Sequence, residues 1–385
     1  MKKSKVLFTI FIVLLICCLS FVLVACGGNN NDDKDNGSEN DGNGGNIVAE
    51  ILEYVEVDGG YSVSLKLDAE KENITEVVIP ETYNEKPVVS IKSEAFFECT
   101  KLTSVTLPKN LINIGNSAFF GCTSLEKVNI KDLSAYCTIN FENQDASPIA
   151  TAKNLYLNGE LVTDLVIPND IATINNYAFN NCTSITSITI PNTVITIGKS
   201  TFSNCSNIST ATMPTTAISS IPHINLKTLV INGGDSIDKY ALMKCSTLTS
   251  ITISNSVKTI GESAFSECSS LTSVIIPDSV TKIESYAFEN CINLESVILS
   301  ENMTNIGWQM FNGCKKLKTL KLGNKIKGIG VSAFEDCTSL ETITYAGAKA
   351  EWIAITKESN WNKNSSEFIV ICTDGKLDKN NNEIE

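Results

Sequence analysis

The chain has 385 residues, 43% of them hydrophobic, so it can bury a large core. Its formal net charge is −13, and all 30 of its basic residues are lysines. An acidic chain without arginine lacks both the charge and the bidentate contacts that favour phosphate binding, so we exclude nucleic acid as a partner.

An export signal is predicted over residues 1–25. Its first five residues hold three lysines, and Val6–Leu23 is nearly all apolar. The run ends in Leu-Val-Ala-Cys-Gly-Gly, where the cysteine is Cys26. This ending resembles a bacterial lipobox, which implies cleavage before Cys26 and lipid attachment to its thiol. We therefore expect a secreted protein, anchored to the membrane of the bacterial cell envelope through Cys26 and facing outward. The alternative is an uncleaved transmembrane helix, because the apolar run is long enough to span a bilayer.

Residues 26–46 carry the lipid anchor and a linker. From Gly27 onward this segment has no apolar side chain, so it cannot pack and is expected to be a flexible tether. Residues 47–86 are expected to form an N-terminal cap. Within them, Tyr54–Val57 and Tyr61–Leu65 alternate in polarity on either side of Asp-Gly-Gly, which predicts a β-hairpin.

Residues 87–345 repeat one pattern. Phe265 is followed by Cys268, Leu271, Val274 and Ile276, and the pattern restarts 23 residues later. The other copies begin at Phe96, Phe119, Phe179, Phe202, Leu242, Phe288, Phe311 and Phe334. The Val-x-Ile alternation predicts a short strand, and Ile-Gly-x-x-Ala-Phe predicts a tight turn or short helix. One such unit cannot bury its apolar face alone, so the units are expected to stack, and the strand ends indicate twelve coils.

The motif Ile-Gly-x-x-Ala-Phe-x-x-Cys-x-x-Leu-x-Ser-Val-x-Ile-Pro resembles the BspA-like leucine-rich-repeat family. The resemblance implies an α/β-type leucine-rich-repeat solenoid with one parallel strand per repeat of about 23 residues. It also implies short helices or turns, irregular loops, a cap at each end, and a role at the cell surface in adhesion or interaction.

Two interruptions break the period. The first is an inserted segment at 131–168, in which Asn-Gly within Leu155–Leu161 predicts a hairpin. The second is the 40-residue spacing from Phe202 to Leu242, which predicts one shortened coil. Residues 346–385 are expected to form a C-terminal cap and tail.

The C-terminal segment opens with a predicted short helix over residues 346–357. We expect Trp352 and Ile353 of this helix to pack on the last coil.

The chain has 14 cysteines, nine of them at the same place in the repeat. Their side chains are expected to point the same way in every coil beside Phe and Leu, which favours free, buried thiols. Disulfides between neighbouring coils remain the alternative under oxidising conditions, because an exported chain with an even cysteine count is compatible with them.

The sequence contains no recognisable catalytic constellation. Its one histidine, His223, has no triad motif around it and is expected to be a loop residue. Phosphate-binding and zinc-protease motifs are absent from the sequence, and no ligand spacing predicts a metal. We therefore predict a non-enzyme without cofactor or metal.

The two outward positions of each strand form a hydroxyl-rich, nearly uncharged strip. The predicted binding face consists of Ser187, Thr189, Ser250, Thr252, Ser273, Ile275, Ser296, Ile298, Thr319 and Lys321. Ile275 and Ile298 are the preferred contact spot because they are apolar and lie in adjacent coils. Serine and threonine are also ordinary exposed strand residues, so the strip alone does not establish binding.

We predict non-catalytic recognition through a concave solenoid face. The expected partner is a protein or glycan on host or neighbouring cells, bound by a monomer. The alternatives are a structural scaffold of the envelope and a ligand-capture lipoprotein.

Overall fold

The computed structural model describes residues 51–385 of the chain. Each regular coil passes through a strand of a main sheet, a short strand of a second sheet, and a turn that carries the buried phenylalanine. Successive coils pair in parallel at a spacing of 23 residues, as in the pairing of Ser273 with Ser296. This arrangement confirms the predicted leucine-rich-repeat solenoid.

In chain order the strands are β1 (Leu52–Val57), β2 (Gly60–Leu65), β3 (Glu76–Val78), β4 (Thr82–Tyr83), β5 (Lys86–Ile91), β6 (Ser104–Thr106), β7 (Asn113–Ile114), β8 (Lys127–Ile130), β9 (Asn140–Phe141), β10 (Leu155–Leu157), β11 (Glu160–Leu161), β12 (Asp164–Val166), β13 (Thr173–Ile174), β14 (Ser187–Thr189), β15 (Thr196–Ile197), β16 (Thr210–Pro214), β17 (Thr228–Gly233), β18 (Ser236–Ile237), β19 (Ser250–Thr252), β20 (Thr259–Ile260), β21 (Ser273–Ile275), β22 (Lys282–Ile283), β23 (Ser296–Ile298), β24 (Asn305–Ile306), β25 (Thr319–Leu322), β26 (Gly328–Ile329), β27 (Thr342–Tyr345), β28 (Thr356–Lys357), β29 (Ile369–Cys372), β30 (Gly375–Asp378) and β31 (Glu383–Ile384). The α-helices are α1 (Leu133–Cys137), α2 (Ile149–Ala152) and α3 (Lys349–Ala354), and short 3-10 helices cover Lys71–Asn73, Gln144–Ala146 and Thr215–Ser220.

The main sheet forms because Val and Ile of each Val-x-Ile stretch point inward, while x and the residue before Val point outward. Fourteen parallel strands supply it in three segments: β3, β6, β8 and β10; β12, β14, β16, β17 and β19; and β21, β23, β25, β27 and β29. The predicted number of twelve coils is therefore wrong. It missed β10, which pairs in parallel with β8, and β29, which pairs in parallel with β27.

The second sheet is built mostly from the isoleucine that lies five residues before the buried phenylalanine or leucine of each repeat. Ile260 of β20 pairs with Ile283 of β22, and both side chains are buried. The glycine after Ile260 is required by the close approach of the previous coil, because a Cβ on Gly261 would lie 2.5 Å from the backbone nitrogen of Lys239.

The Ala-Phe stretch forms turns rather than helices. Residues two positions before and two after the phenylalanine adopt positive φ, as Ser263 (+53°) and Glu267 (+61°) do around Phe265. The same pair of positions is left-handed around Phe96, Phe119, Phe179, Phe202, Leu242 and Phe288. Non-glycine residues pay about 1–2 kcal/mol for this conformation. Backbone N–H groups offset that cost by donating to the next coil, at 3.1 Å from Ser263 to Ser285 and 2.8 Å from Phe265 to Ala287.

The core is a column of aromatic rings and aliphatic side chains. Phe265, Phe288, Phe311 and Phe334 stack in succession, with ring centroids 5.1, 5.6 and 5.6 Å apart. In the inserted segment Tyr136 continues the column toward Phe179, 5.7 Å away. The repeated phenylalanines are buried against the coils next to them. Most of the solenoid's stability therefore comes from contacts between neighbouring coils.

Both predicted hairpins are present. Strands β1 and β2 pair antiparallel, and β2 then pairs in parallel with β5 at one end of the second sheet. Strands β10 and β11 pair antiparallel around Asn158 and Gly159, whose φ angles of +53° and +87° suit a tight hairpin turn.

The structure shows how the two interruptions of the repeat period fold. The inserted segment at 131–168 contributes β9 to the second sheet and β10 to the main sheet, with α1 and α2 in place of the usual turns. Thr210 pairs with Thr228, so the coil between them spans 228 − 210 = 18 residues. This is the shortened coil that the sequence predicts.

Beyond β27 the chain forms α3, and then β29, β30 and β31 extend the main sheet. Trp352 of α3 is buried as predicted. The same prediction is wrong for Ile353, which is 51% exposed, because adjacent residues of a helix lie on different faces and only one face of α3 meets the last coil.

Candidate interaction surface

The predicted binding residues lie on the outward face of the main sheet. In every strand they flank a central side chain that points into the core, as Ser273 and Ile275 flank Val274. Ser187 and Thr189 lie on β14, Ser250 and Thr252 on β19, Ser273 and Ile275 on β21, Ser296 and Ile298 on β23, and Thr319 and Lys321 on β25.

The register brings six of these ten residues into two adjacent rows. Ser273, Ser296 and Thr319 form one row. Ile275, Ile298 and Lys321 form the other, and Ile275 is 64% exposed while Ile298 is 38% exposed. The remaining four residues lie in the segment of the main sheet that runs from β12 to β19. Ser187 and Thr189 are on β14, two strands from β17, whereas Ser250 and Thr252 are on β19, which pairs with β17.

The main sheet opens between β19 and β21. In regular coils the N–H before each strand donates to the previous coil, as Glu295 does to the Thr272 carbonyl at 2.8 Å. Among residues 51–385, no such bond joins Thr272 to Thr249, and β19 and β21 are not paired. The backbone groups that face this gap therefore keep their hydrogen-bonding capacity for water or a ligand.

The opening is confined to one side of these two coils. On the other side β20 pairs with β22, and the Phe265 and Phe288 rings stack 5.1 Å apart. At the gap, the inward-facing residue Ile251 is only partly buried, whereas the residue at the equivalent place in the register is buried in each of the other thirteen parallel strands. The separation of β19 and β21 thus exposes part of the core.

A cavity of about 580 Å³ occupies the opening. We call it the sheet groove. Its floor and walls come from Ile251 and Thr252 on β19, Ile275 on β21 and Ile298 on β23, and Asn255 and Asp278 lie at its loop side. Apolar floor, hydroxyl and amide walls, and free backbone groups are the usual ingredients of a recognition pocket.

Charge at the sheet groove is concentrated at one end. Glu301 and Lys321 lie 3.7 Å apart there, and both are exposed. The Asp278 carboxylate accepts the Glu301 backbone N–H at 2.8 Å, which fixes the loop after β21. An exposed ion pair of this kind contributes little to stability, so its charges stay available to a partner.

The repeat thiols are sealed inside the solenoid. The eleven cysteines within residues 51–385 are free and buried. The Cys291 thiol donates to the Phe265 carbonyl at 3.1 Å, and Cys314 makes the same bond to Phe288. Burial raises the pKa of the Cys291 thiol to about 12, so it stays protonated and is a poor nucleophile or metal ligand at neutral pH.

No catalytic arrangement was found among residues 51–385. His223 follows the 3-10 helix of the shortened coil, and its Nε2 lies 2.8 Å from the Ile218 carbonyl. No group of three or more His, Cys, Asp or Glu side chains in this part of the chain is placed to hold a metal ion. The geometry that the described residues do offer is a surface for binding.

The predicted signal at 1–25, the lipid attachment site Cys26 and the whole linker at 26–46 lie outside the described residues. Within residues 51–385, every helix is too short or too polar to cross a membrane.

The sequence matches the profile of the BspA type leucine-rich repeat region in six copies, over residues 69–156, 149–227 and 235–355. The chain belongs to the BspA-type leucine-rich-repeat family. Leucine-rich-repeat proteins of this kind are generally recognition modules without enzymatic activity. No curated protein matches the sequence.

Solved structures of similar chains include bacterial leucine-rich-repeat proteins. One from Bacteroides ovatus is 23% identical, with a TM-score of 0.47, and the match covers 83% of this chain and 89% of that one. A leucine-rich cell-surface protein from Faecalibacterium prausnitzii is 22% identical, with a TM-score of 0.35 and coverage of 80% and 97%. The pneumococcal vaccine antigen PcpA is 17% identical, with a TM-score of 0.31 and coverage of 83% and 96%.

Sequence reasoning missed the loop residues of the sheet groove in this BspA-type chain. The loop residues are Asn255, Asp278 and Glu301, which follow strands rather than lie within them. The alternation of inward and outward side chains predicts a binding face only at strand positions. The gap itself has no sequence signal, because the coils on both sides of it match the repeat. A departure that the sequence does show is Trp308, which occupies a place held mostly by polar residues in other coils.

Proposed function

We propose that the protein is a lipid-anchored bacterial surface protein that binds a partner protein, as in adhesion to host or neighbouring cells. The binding site is the outward face of the main sheet, centred on the sheet groove. The observation that carries the proposal is the gap between β19 and β21, which exposes Ile251 beside the already exposed Ile275.

The composition of this face supports a protein partner. Ile275 and Ile298 provide adjacent apolar contacts, while hydroxyl groups on β19, β21 and β23 surround them. A protein interface combines this kind of apolar centre with a polar rim. The partner's apolar side chain would enter the sheet groove, and its backbone or polar groups would bond the unpaired edges of β19 and β21.

The test compares a soluble protein spanning residues 47–385 with its Ile275→Lys/Ile298→Lys variant. Both are measured against matrix proteins, mucins, glycans and whole cells. We expect saturable binding to a protein or cell surface, weakened about tenfold or more by the lysines because they place charge on the apolar centre.

The matched control is Val78→Lys/Val166→Lys. These residues are exposed on β3 and β12 of the same sheet, outside the sheet groove. Equal loss in both variants would assign the effect to charge in general, and binding that ignores Ile275 and Ile298 would remove the sheet groove as the site. Absence of binding to every surface would favour an envelope scaffold, which predicts co-purification with envelope proteins.

A further inference from the structure

Trp308 differs from the residues at the same place in other coils. It lies two positions after Ile306 of β24 and is 55% exposed. The equivalent residues are Asn116, Asn176, Lys199, Lys239, Glu262, Ser285 and Val331. The indole is larger than any of these side chains, and more than half of it is exposed, so it offers an aromatic surface to a ligand that its equivalents do not.

The indole lies at a cavity of about 240 Å³ between β24, β26 and β28 of the second sheet. Three glycines line the cavity, and a Cβ on one of them, Gly330, would approach the Trp308 Cδ1 to 2.6 Å. A Cβ on Gly328 would approach the Asn305 Oδ1 to 2.8 Å. Because Gly328 and Gly330 have no side chains, there is room for the Trp308 indole and the Asn305 amide, and the cavity beside them stays open.

Polar groups surround the indole. The cavity is lined by the hydroxyls of Ser285 and Thr356, the amide of Asn305 and the carboxylate of Glu358. The two isoleucines that also line it, in β24 and β26, are almost fully buried. The exposed apolar surface of the cavity is thus the indole alone, ringed by donors and acceptors.

This pattern matches the chemistry of a pyranose ring. A sugar ring presents one face of C–H groups, which stack on an aromatic ring, and a rim of hydroxyls, which pair with amide, hydroxyl and carboxylate groups. A protein hot spot would need further apolar surface around the tryptophan to exclude water, and the lining residues do not supply it.

We propose that Trp308 and the cavity beside it form a carbohydrate-binding site for a neutral oligosaccharide. The indole would stack on one pyranose ring, and Asn305 and Glu358 would bond its hydroxyls. This site lies on the second sheet and does not depend on the protein-binding site proposed for the main sheet, so either can fail without the other.

The test uses the full chain, purified in a detergent without a sugar headgroup. Binding of cellohexaose, chitohexaose, xylohexaose, mannohexaose and a galactan is measured by calorimetry and by acrylamide quenching of tryptophan fluorescence. Of the three tryptophans, Trp352 is buried and Trp361 is partly buried, so Trp308 is the most accessible to quencher. We expect one oligosaccharide to bind saturably and to protect this component from quenching.

Trp308→Ala is expected to weaken that binding by about tenfold or more, and Trp308→Phe by less, because a ring face remains. The matched control is Ile195→Ala, which removes an 80% exposed side chain from the loop just before β15, in another segment of the second sheet. Circular dichroism and thermal melting verify that each variant folds.

The Ile275→Lys/Ile298→Lys variant is expected to bind the oligosaccharide as the wild type does. The proposal is overturned if no oligosaccharide of the panel binds, or if binding persists unchanged in a folded Trp308→Ala variant. Loss of binding in Ile195→Ala as well would also overturn it, since the effect would then belong to the sheet in general.

Discussion

At the scale of single residues, the repeated cysteine shows how a chain can carry many thiols as packing groups. Six of the nine repeat thiols donate to the carbonyl of the aromatic or leucine position in the preceding coil, as Cys268 does to Leu242 at 3.3 Å. Serine would form a similar bond but would lose the packing of a larger, less polar atom beside phenylalanine. The thiols are therefore packing groups, and their burial has a consequence at alkaline pH.

Stability is expected to fall above about pH 9. An unfolded thiol loses its proton near its ordinary pKa of 9.0, whereas burial raises the pKa of the Cys291 thiol to about 12. The unfolded chain then binds fewer protons than the folded chain. The thiol's contribution to the free energy of unfolding is therefore complete below pH 9 and decreases as pH rises toward 12. Each such thiol contributes about 1.4 kcal/mol per pH unit in this window.

Urea denaturation of the wild type and Cys291→Ala at pH 7, 9, 10 and 11 measures the effect. The variant should be less stable at pH 7, because it leaves a cavity. Its stability should also fall less steeply with pH than that of the wild type. Parallel slopes for the two proteins above pH 9 would contradict the assignment of the alkaline loss to this thiol.

At the scale of elements, the main sheet is regular in sequence but interrupted in hydrogen bonding. Between β19 and β21 the coils separate on the main-sheet side while they stay paired on the second-sheet side. The turn ladder through Phe265 also continues across this point, with a bond of 2.8 Å to Ala287. A local opening is tolerated because the remaining two contact faces hold the coils together.

Hydrogen exchange should identify this opening directly. The backbone N–H of Thr272 faces the gap, whereas the equivalent N–H of Glu295 donates to a carbonyl at 2.8 Å. We expect Thr272 to exchange about tenfold or more faster than Glu295, because an amide without a protein acceptor needs no opening event. Equal protection at the two positions would show that β19 and β21 are paired in solution.

Partner binding offers an internal control for this measurement. If a bound protein occupies the sheet groove, exchange at Thr272 should slow while exchange at Glu295 stays unchanged. Binding that leaves Thr272 unaffected would place the partner elsewhere on the chain.

At the scale of the whole molecule, the two ends of the stack are closed by antiparallel hairpins. Strands β1 and β2 extend the second sheet at one end, and β30 and β31 extend the main sheet at the other. A parallel solenoid otherwise ends in unpaired strand edges, which promote association between chains. That residues 47–86 and 346–385 act as caps stays a prediction.

The proposed anchor is testable on the whole protein. We expect Cys26→Ala to prevent lipid attachment and signal cleavage, so that the variant is neither labelled by a radioactive fatty acid nor cleaved before residue 26. Cys18→Ala, within the same apolar run, is the matched control and should retain both properties. A wild-type chain that is neither labelled nor cleaved would favour the uncleaved transmembrane helix instead.

The fold was largely predictable because the information that specifies it is local and repeated. The spacing of Phe265, Cys268, Leu271 and Val274 predicts which side chains face the core, and the regular coils repeat this spacing. Errors arose where the chain departs from that spacing. Strand β10 looked like half of an isolated hairpin, and β29 lacks the preceding repeat pattern, so only their pairing reveals them as coils.

The sequence by itself determined the repeat, the inward and outward positions of each strand, and the adjacency of Ile275 and Ile298. These follow from periodicity, because side chains alternate along a strand and identical units stack in register. The sheet groove and the cavity beside Trp308 were decided by the tertiary structure. Each depends on the distance between neighbouring coils and on loop residues brought together from different repeats, and no single repeat carries that information.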